Sequence, residues 1–141
     1  MRVWLLLSLF ASSAVASEIN IDIYSSSLEF AQVTKVEATQ RASGGWCFDT
    51  SVRHDDQGWE HYADRWEVLD LEGNQLGYRT LGHPHDNEQP FTRSQCDIKI
   101  PIGISKVIVR AKCNNHGFGG KPIMVDLSDE QGGDYLVKRY N

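Results

Sequence analysis

The sequence predicts an all-β fold: an antiparallel β-sandwich, immunoglobulin-like or fibronectin-type-III-like, with about seven strands. Apolar residues alternate with polar ones at a period of two along most of the chain. The strand-like segments recur at roughly ten-residue spacing, with Gly- and Pro-containing turns between them. No segment shows the apolar stripe of an amphipathic helix. A jelly roll or a small barrel is the alternative architecture.

The first 16 residues have the three-part pattern of a secretory signal peptide. Arg2 is followed by an apolar run over residues 3–10, and Ala14-Val15-Ala16 is a small-x-small cleavage site. The apolar run is too short to span a bilayer, and no cysteine follows the cleavage site, so we expect no membrane anchor. Residues 17–141 are expected to form one secreted or periplasmic domain.

The predicted strands are consecutive and separated by short turns. An edge strand or arm is predicted at residues 19–23. The seven strands of the sandwich are predicted at residues 28–41, 46–54, 65–70, 75–81, 90–100, 106–113 and 122–127. The tail has room for one further short strand before Tyr140.

The charge and sulfur content exclude some functions. A formal net charge of −5 with no basic cluster is atypical of proteins that bind nucleic acid. Met124 is the one methionine besides Met1, which excludes a methionine-rich copper(I) site.

Cys47, Cys96 and Cys113 are an odd number of cysteines, so we expect one disulfide and one thiol. In the predicted topology the start of the second strand lies beside the end of the fifth, which favours a bridge between Cys47 and Cys96. Cys113 would then be free.

The polar and aromatic residues that can bind ligands are concentrated in three loops. Successive loops of such a sandwich emerge at alternate ends, so the loops at residues 54–64, 82–89 and 114–120 are expected at one end. All five histidines lie in or beside these loops. Loops on a rigid scaffold carry function more often than strands do. We therefore expect any binding site at this end.

Imidazole and carboxylate groups brought together suit zinc, copper, nickel or iron. His83-Pro84-His85 places two imidazoles on a stiff segment, and the other histidines come from different loops. We predict a divalent transition metal, with Zn, Cu or Fe as candidates. The predicted ligands are His54, His83, His85 and His116. The alternative is that these side chains serve in polar packing and loop hydrogen bonds.

The aromatic residues of the same loops suggest a platform for a sugar or peptide ligand. Trp59 and Tyr62 are flanked by acidic residues. The residues predicted to contact a ligand are Trp59, His61, Tyr62, Asp64 and Phe118. The alternative is that Trp59 and Tyr62 fold back over the open end of the core, because large aromatics dominate packing in a small domain.

Common enzyme motifs are absent: the sequence has no Gly-x-Ser-x-Gly, no P-loop and no His-Glu-x-x-His. Cys113 and His116 have the spacing of a possible nucleophile and base, but Cys113 continues the inward phase of its strand. We therefore expect a non-enzymatic binding domain. The partner would be a small ligand or another exported protein, and an envelope interaction or structural module is an alternative.

Two segments resemble a group of small exported bacterial proteins whose function is unassigned. The resemblance implies a β-sandwich of the same kind and no particular activity, and it continues through residues 107–120. The segments are Gly58-Trp59-Glu60-His61-Tyr62-Ala63-Asp64-Arg65-Trp66 and His83-Pro84-His85-Asp86-Asn87-Glu88-Gln89-Pro90-Phe91-Thr92-Arg93-Ser94.

A shorter resemblance is to superoxide reductases, which also have an immunoglobulin-like fold. Residues 83–89 resemble the His-Pro-x-x-x-Glu-His segment of that family, and residues 113–117 resemble its Cys-Asn-x-His-Gly segment. This resemblance implies an iron-dependent redox enzyme with His83, Cys113 and His116 as iron ligands. Gln89 stands where that family has a further ligand histidine.

Overall fold

A computed structural model describes residues 18–140, so the predicted signal peptide at residues 1–16 lies outside the described residues. Two β-sheets pack face to face. Their strands are β1 (Gln32–Gln40), β2 (Trp46–Arg53), β3 (Ala63–Leu69), β4 (Gln75–Thr80), β5 (Phe91–Ile98), β6 (Lys106–Cys113), β7 (Gly117–Phe118), β8 (Ile123–Asp126) and β9 (Tyr135–Arg139). Within residues 18–140, no helix has the length and apolarity needed to cross a membrane.

The sheet topology confirms the predicted β-sandwich. One sheet has the order β5-β2-β1-β9, and the other has the order β4-β3-β6-β7 with β8 also paired to β6. The strands β1, β2 and β5 in one sheet and β4, β3, β6 and β8 in the other correspond to the A-B-E and C′-C-F-G pairing of immunoglobulin-like folds. All pairings are antiparallel except that of β1 with β9.

The core lies between the sheets, as the alternation of apolar and polar residues along the strands predicts. Trp46, Phe48, Thr50 and Val52 of β2 are buried, and the residues that alternate with them are partly exposed. Trp66 of β3 and Val109 of β6 are fully buried in the facing sheet. Full burial of one Val or Phe side chain stabilises the fold by about 1.5–3 kcal/mol relative to leaving it exposed.

The disulfide joins Cys47 of β2 to Cys96 of β5, as predicted, and Cys113 is free and buried. Cys47 alternates with the core residues Trp46 and Phe48, so the bridge lies on the outer face of its sheet. Asp97 has a φ of 58°, and the pairing of β2 with β5 shifts register beside it. This bulge breaks the alternation of β5, so Ile98 lies in the core although Cys96, two residues before it, is bridged on the outer face.

The prediction of a strand at residues 19–23 is wrong, because this segment forms turns and irregular backbone. Its alternating isoleucines resemble a strand, but only Ile19 makes a backbone hydrogen bond to another element, from its N–H to the Leu71 carbonyl oxygen. Without a neighbouring strand, the other backbone N–H and C=O groups of this segment cannot form the hydrogen bonds of a β-ladder.

The first strand begins at Gln32, later than the predicted residue 28. The Gln32 amide explains the delay: its Nε2 lies within 2.9–3.1 Å of the carbonyl oxygens of Ser25, Ser27 and Phe30. Those carbonyls belong to turns, so residues 25–30 curl around one side chain instead of pairing with β2.

Two short strands account for most of the difference from the predicted seven. Residues 117–118, expected within a loop, form β7 against the end of β6. The predicted tail strand exists as β9, and it pairs parallel to β1. Parallel pairing requires a crossover of the chain, which local sequence patterns do not reveal.

Candidate functional site

Three loops meet at one end of the sandwich, which we call the histidine end: the β2–β3 loop (54–62), the β4–β5 loop (81–90) and the β6–β7 turn (114–116). The Asn114 N–H donates to the Tyr62 carbonyl oxygen (3.0 Å), and the Tyr62 N–H donates to Asn114 Oδ1 (3.0 Å). The Gly58 N–H donates to Asp86 Oδ1 (3.2 Å). All five histidines lie at this end, so their predicted placement is confirmed.

Four side chains from separate parts of the chain form what we call the inner cluster: His54, His61, Cys113 and His116. One potential ligand atom from each of His54, His61 and Cys113 lies within 4.8 Å of the others. The ring of His61 lies between the rings of His54 and His116, with centroid distances of 4.6 and 5.1 Å. His116 Nδ1 is 3.5 Å from Cys113 Sγ.

His54 is held firmly at the end of β2, with 1% of its surface exposed. Its Nδ1 lies 2.6 Å from Asp56 Oδ1, and its Nε2 lies 3.1 Å from the Glu29 carbonyl oxygen. An ionised carboxylate and a carbonyl only accept, so both contacts are hydrogen bonds only when each ring nitrogen carries a proton. A metal cation at Nε2 would take the place of the second proton.

Asp56 connects the loops of the histidine end. Besides His54, it accepts hydrogen bonds from the backbone N–H groups of Ala63 (2.9 Å) and His85 (2.8 Å). Burial by itself would raise the pKa of Asp56, but these three hydrogen bonds outweigh it and hold the pKa below its ordinary value. The carboxylate is therefore charged across the neutral range.

The sulfur of Cys113 is fully buried and surrounded by N–H groups. The backbone N–H groups of Asn115 (3.3 Å) and His116 (3.2 Å) donate to Sγ. Gly117 has a φ of 69°, a left-handed conformation that suits glycine and lets the turn close around the sulfur. This arrangement suits a sulfur that carries negative charge, as a metal-bound thiolate does.

His61 has a buried Nε2 without a hydrogen-bond partner. A buried polar atom left unpaired costs about 1–3 kcal/mol, so its presence beside a sulfur and a second imidazole points to a missing partner. His116 is exposed, and its ring packs against Phe30 at a centroid distance of 5.6 Å. The inner cluster thus extends from a buried histidine to the solvent.

His83 and His85, both predicted as metal ligands, form a separate pair. Their ring centroids are 4.4 Å apart, and His85 is stacked on Phe91 at 3.9 Å. His85 Nε2 lies 2.9 Å from an Arg93 guanidinium nitrogen. Among residues 18–140, the group of three potential ligands contains His61 and Cys113 instead of His83 and His85. Asp56 is hydrogen-bonded to both clusters, to the His54 ring and to the His85 backbone N–H.

Burial lowers the pKa of His85, and the positive charges of Arg93 and His83 lower it further. Asp56 and Glu88 oppose this shift. The neutral ring is favoured, which suits its stacking on Phe91 and its contact with a guanidinium donor.

The residues predicted to contact an organic ligand are distributed over two surfaces. Trp59 is 66% exposed and packs edge-on to Tyr62 at 5.7 Å, so Trp59 does not cover the core. It lines an open groove of about 670 Å³ with His83 and Glu88. Asp64 instead pairs with Lys112 (2.7 Å), and Phe118 lies 4.0 Å beneath the Arg110 guanidinium.

The grouping of side chains in the structure differs from the predicted ligand set, and metal binding by either set stays a prediction. His54 and His116 were predicted ligands, whereas His61 was assigned to an organic ligand, and Cys113 entered only through a resemblance. The available signal was the spacing Cys113-x-x-His116, which places both side chains on one tight turn. Asp56 was missed, because an acid beside Asp55 in a polar loop gives no sign that it is buried.

No family model matches the chain, and no solved structure matches it. The chain is 41% identical over 103 residues to a protein of Halomicrobium mukohataei described as a putative lipoprotein. The match covers 72% of this chain and 50% of that protein, so the chain spans about half the length of the curated relative it matches. The name of the relative states no activity, and the specific motif resemblance stays a prediction.

Proposed function

We propose that this protein is an exported envelope domain that binds a divalent transition metal ion through His54, His61 and Cys113. One observation carries the proposal: two donors from the β2–β3 loop and one from the end of β6 lie within 4.8 Å of one another at the histidine end. The donors are one sulfur and two imidazoles, which suit zinc, copper and iron and are poor ligands for calcium or magnesium.

The spacing of the donors is close to what a metal requires. With bonds of about 2.3 Å to sulfur and 2.0 Å to nitrogen, two tetrahedral ligands lie about 3.5 Å apart. The distance from His116 Nδ1 to Cys113 Sγ is 3.5 Å, so His116 can serve as a fourth ligand on the solvent side. The widest spacing in the group, up to 4.8 Å, would have to contract by about 1.3 Å around the ion to reach that distance.

Asp56 supplies the support that a ligating histidine needs. Histidines that bind metals usually donate their other N–H to a carboxylate, which fixes the tautomer and the ring orientation. His54 Nδ1 makes this contact with Asp56 at 2.6 Å, and Nε2, which faces the Glu29 carbonyl oxygen at 3.1 Å, would exchange that contact for the metal.

Export is supported by two features. The Halomicrobium mukohataei relative is named as a lipoprotein, a class of proteins of the cell envelope. The Cys47–Cys96 disulfide suits an oxidising compartment.

The test is a calorimetric titration of metal-free, untagged protein with Zn²⁺. We expect one ion per chain. Cys113→Ser and His61→Gln should each weaken binding by about 100-fold, since loss of even an outer residue commonly costs 10–100-fold. His83→Gln is the matched control and should bind as the wild type does. Circular dichroism checks that each variant is folded. Equal binding by all four proteins, or none by the wild type, would overturn the proposal.

Asp56→Asn provides a second test of the same site. Asparagine can accept from His54 but cannot supply the negative charge, so Zn²⁺ affinity should fall by roughly 10–100-fold. Asp55→Asn is the control, because Asp55 is exposed and bonded only to Gln57 in this loop. If Asp55→Asn and Asp56→Asn bind equally well, Asp56 does not support the metal.

A further inference from the structure

The inner cluster has the donor set of one particular class of metal site. Two imidazoles and one thiolate, completed by a weak axial donor such as a backbone oxygen, form the copper sites that carry out one-electron transfer. His54, His61 and Cys113 supply the three strong donors. The Glu29 carbonyl oxygen faces His54 Nε2 at 3.1 Å, so it would shift aside when an ion binds that nitrogen and would then be a backbone oxygen beside the metal.

We infer that the inner cluster holds copper as a one-electron redox centre, an inference that rests on the proposed metal site. The electron comes from a small one-electron reductant or a redox protein, and Cu²⁺ becomes Cu⁺. No covalent bond other than those to the metal is involved. The return step gives the electron to a one-electron oxidant.

The surroundings of the sulfur support redox chemistry. Hydrogen bonds to the cysteine sulfur and the apolarity around it tune the potential of thiolate–copper sites. Cys113 Sγ accepts hydrogen bonds from the backbone N–H groups of Asn115 and His116, and Cys113 has no exposed surface. Once the donors have closed around an ion, the β2–β3 loop, the end of β6 and the Asp56 hydrogen bonds would limit further rearrangement between the two oxidation states.

The structure also provides an entrance for the electron. His116 is the exposed member of the cluster, and its Nδ1 lies 3.5 Å from the sulfur. Its ring is in contact with the His61 and Phe30 rings. A donor that touches this exposed imidazole edge would be one side chain away from the metal. Copper is also the divalent ion that N and S donors bind most tightly in the first transition row.

The experiment adds one equivalent of Cu²⁺ to metal-free protein with its disulfide intact and records the visible and electron paramagnetic resonance spectra. We expect an intense thiolate-to-copper absorption band. Ascorbate should remove the band and ferricyanide should restore it over repeated cycles. In Cys113→Ser the band should be lost, and in His83→Gln, a control outside the cluster, it should be unchanged.

The outcomes separate this inference from the proposed metal site. If Zn²⁺ binds and depends on Cys113 but Cu²⁺ gives no such band, the redox inference is overturned and the metal site stands. The inference also fails if Cu²⁺ oxidises Cys113 irreversibly to a disulfide-linked dimer, seen by non-reducing electrophoresis. If neither ion binds, both the site and the inference fail.

Discussion

At the scale of single residues, His85 links the stability of the histidine end to pH. Its ring is 5% exposed and stacked on Phe91, while its backbone N–H is held by Asp56. Because its pKa is lowered from 6.5, the unfolded chain takes up a proton that the folded chain resists. The contribution of His85 to the free energy of unfolding is therefore complete above pH 6.5, and it is lost as the pH falls through the pKa of His85 in the folded state.

We expect the free energy of unfolding, measured by urea denaturation, to decrease as the pH is lowered from 7.5 to 5.5. Uptake of one proton on unfolding changes the free energy of unfolding by at most about 1.4 kcal/mol per pH unit. His85→Gln should flatten the decrease, since glutamine does not titrate. His83→Gln should retain most of the decrease, because burial and the charge of Arg93 still lower the pKa of His85 when His83 is removed. Identical slopes in the wild type and His85→Gln would contradict the assignment.

The residue identities at the site were only partly predictable. His54 and His116 were predicted as metal ligands, because a histidine in a loop is a good ligand candidate whichever course the loop takes. The role of Asp56 was not predictable, since it depends on a ring from β2 and on backbone groups from two other segments. The proximity of His61 and Cys113 to His54 depends on the same kind of long-range contact.

At the scale of elements, the segment before β1 packs closely against the chain that follows β7. A Cβ added to Gly120 would overlap the carbonyl oxygen of Ala31, and one added to Gly119 would overlap the Phe30 ring. The Ser25 N–H donates to the Gly119 carbonyl oxygen at 2.8 Å. These contacts fix Glu29 and Phe30 beside the inner cluster.

Gly120→Ala should destabilise the fold, because a fixed backbone oxygen cannot yield to the added methyl group. We expect a loss of about 1–3 kcal/mol in urea denaturation, the usual cost of overpacking. Gly82→Ala is the matched control: its Cβ would meet nothing within 4 Å, so the change should stay within about 0.5 kcal/mol. Equal stability of Gly120→Ala and the wild type would show that the segment does not pack as described.

Elements with regular alternation and a clear turn on each side were predicted closely. The bounds of β6, Lys106–Cys113, are those predicted, because Val107, Val109 and Ala111 alternate without a bulge. The segment at residues 19–23 also alternates, yet it is no strand, since a strand exists only where a neighbour pairs with it.

At the scale of the whole molecule, the Cys47–Cys96 disulfide ties two neighbouring strands that are 49 residues apart in sequence. Reduction should lower the free energy of unfolding by about 2–4 kcal/mol, mainly because the unfolded chain gains freedom. The measurement is urea denaturation with and without reductant. The double variant Cys47→Ala/Cys96→Ala should match the reduced protein and ignore the reductant. A wild type unaffected by verified reduction would contradict this prediction.

The sequence by itself determined the all-β class, the two faces of the main strands and the end of the molecule that holds the histidines. These follow from alternation and from the order of strands and turns, which are local properties. Tertiary structure decided which side chains lie together. His54, His61 and Cys113 come together through loop hydrogen bonds and the buried charge of Asp56, and such contacts join residues that no short pattern connects.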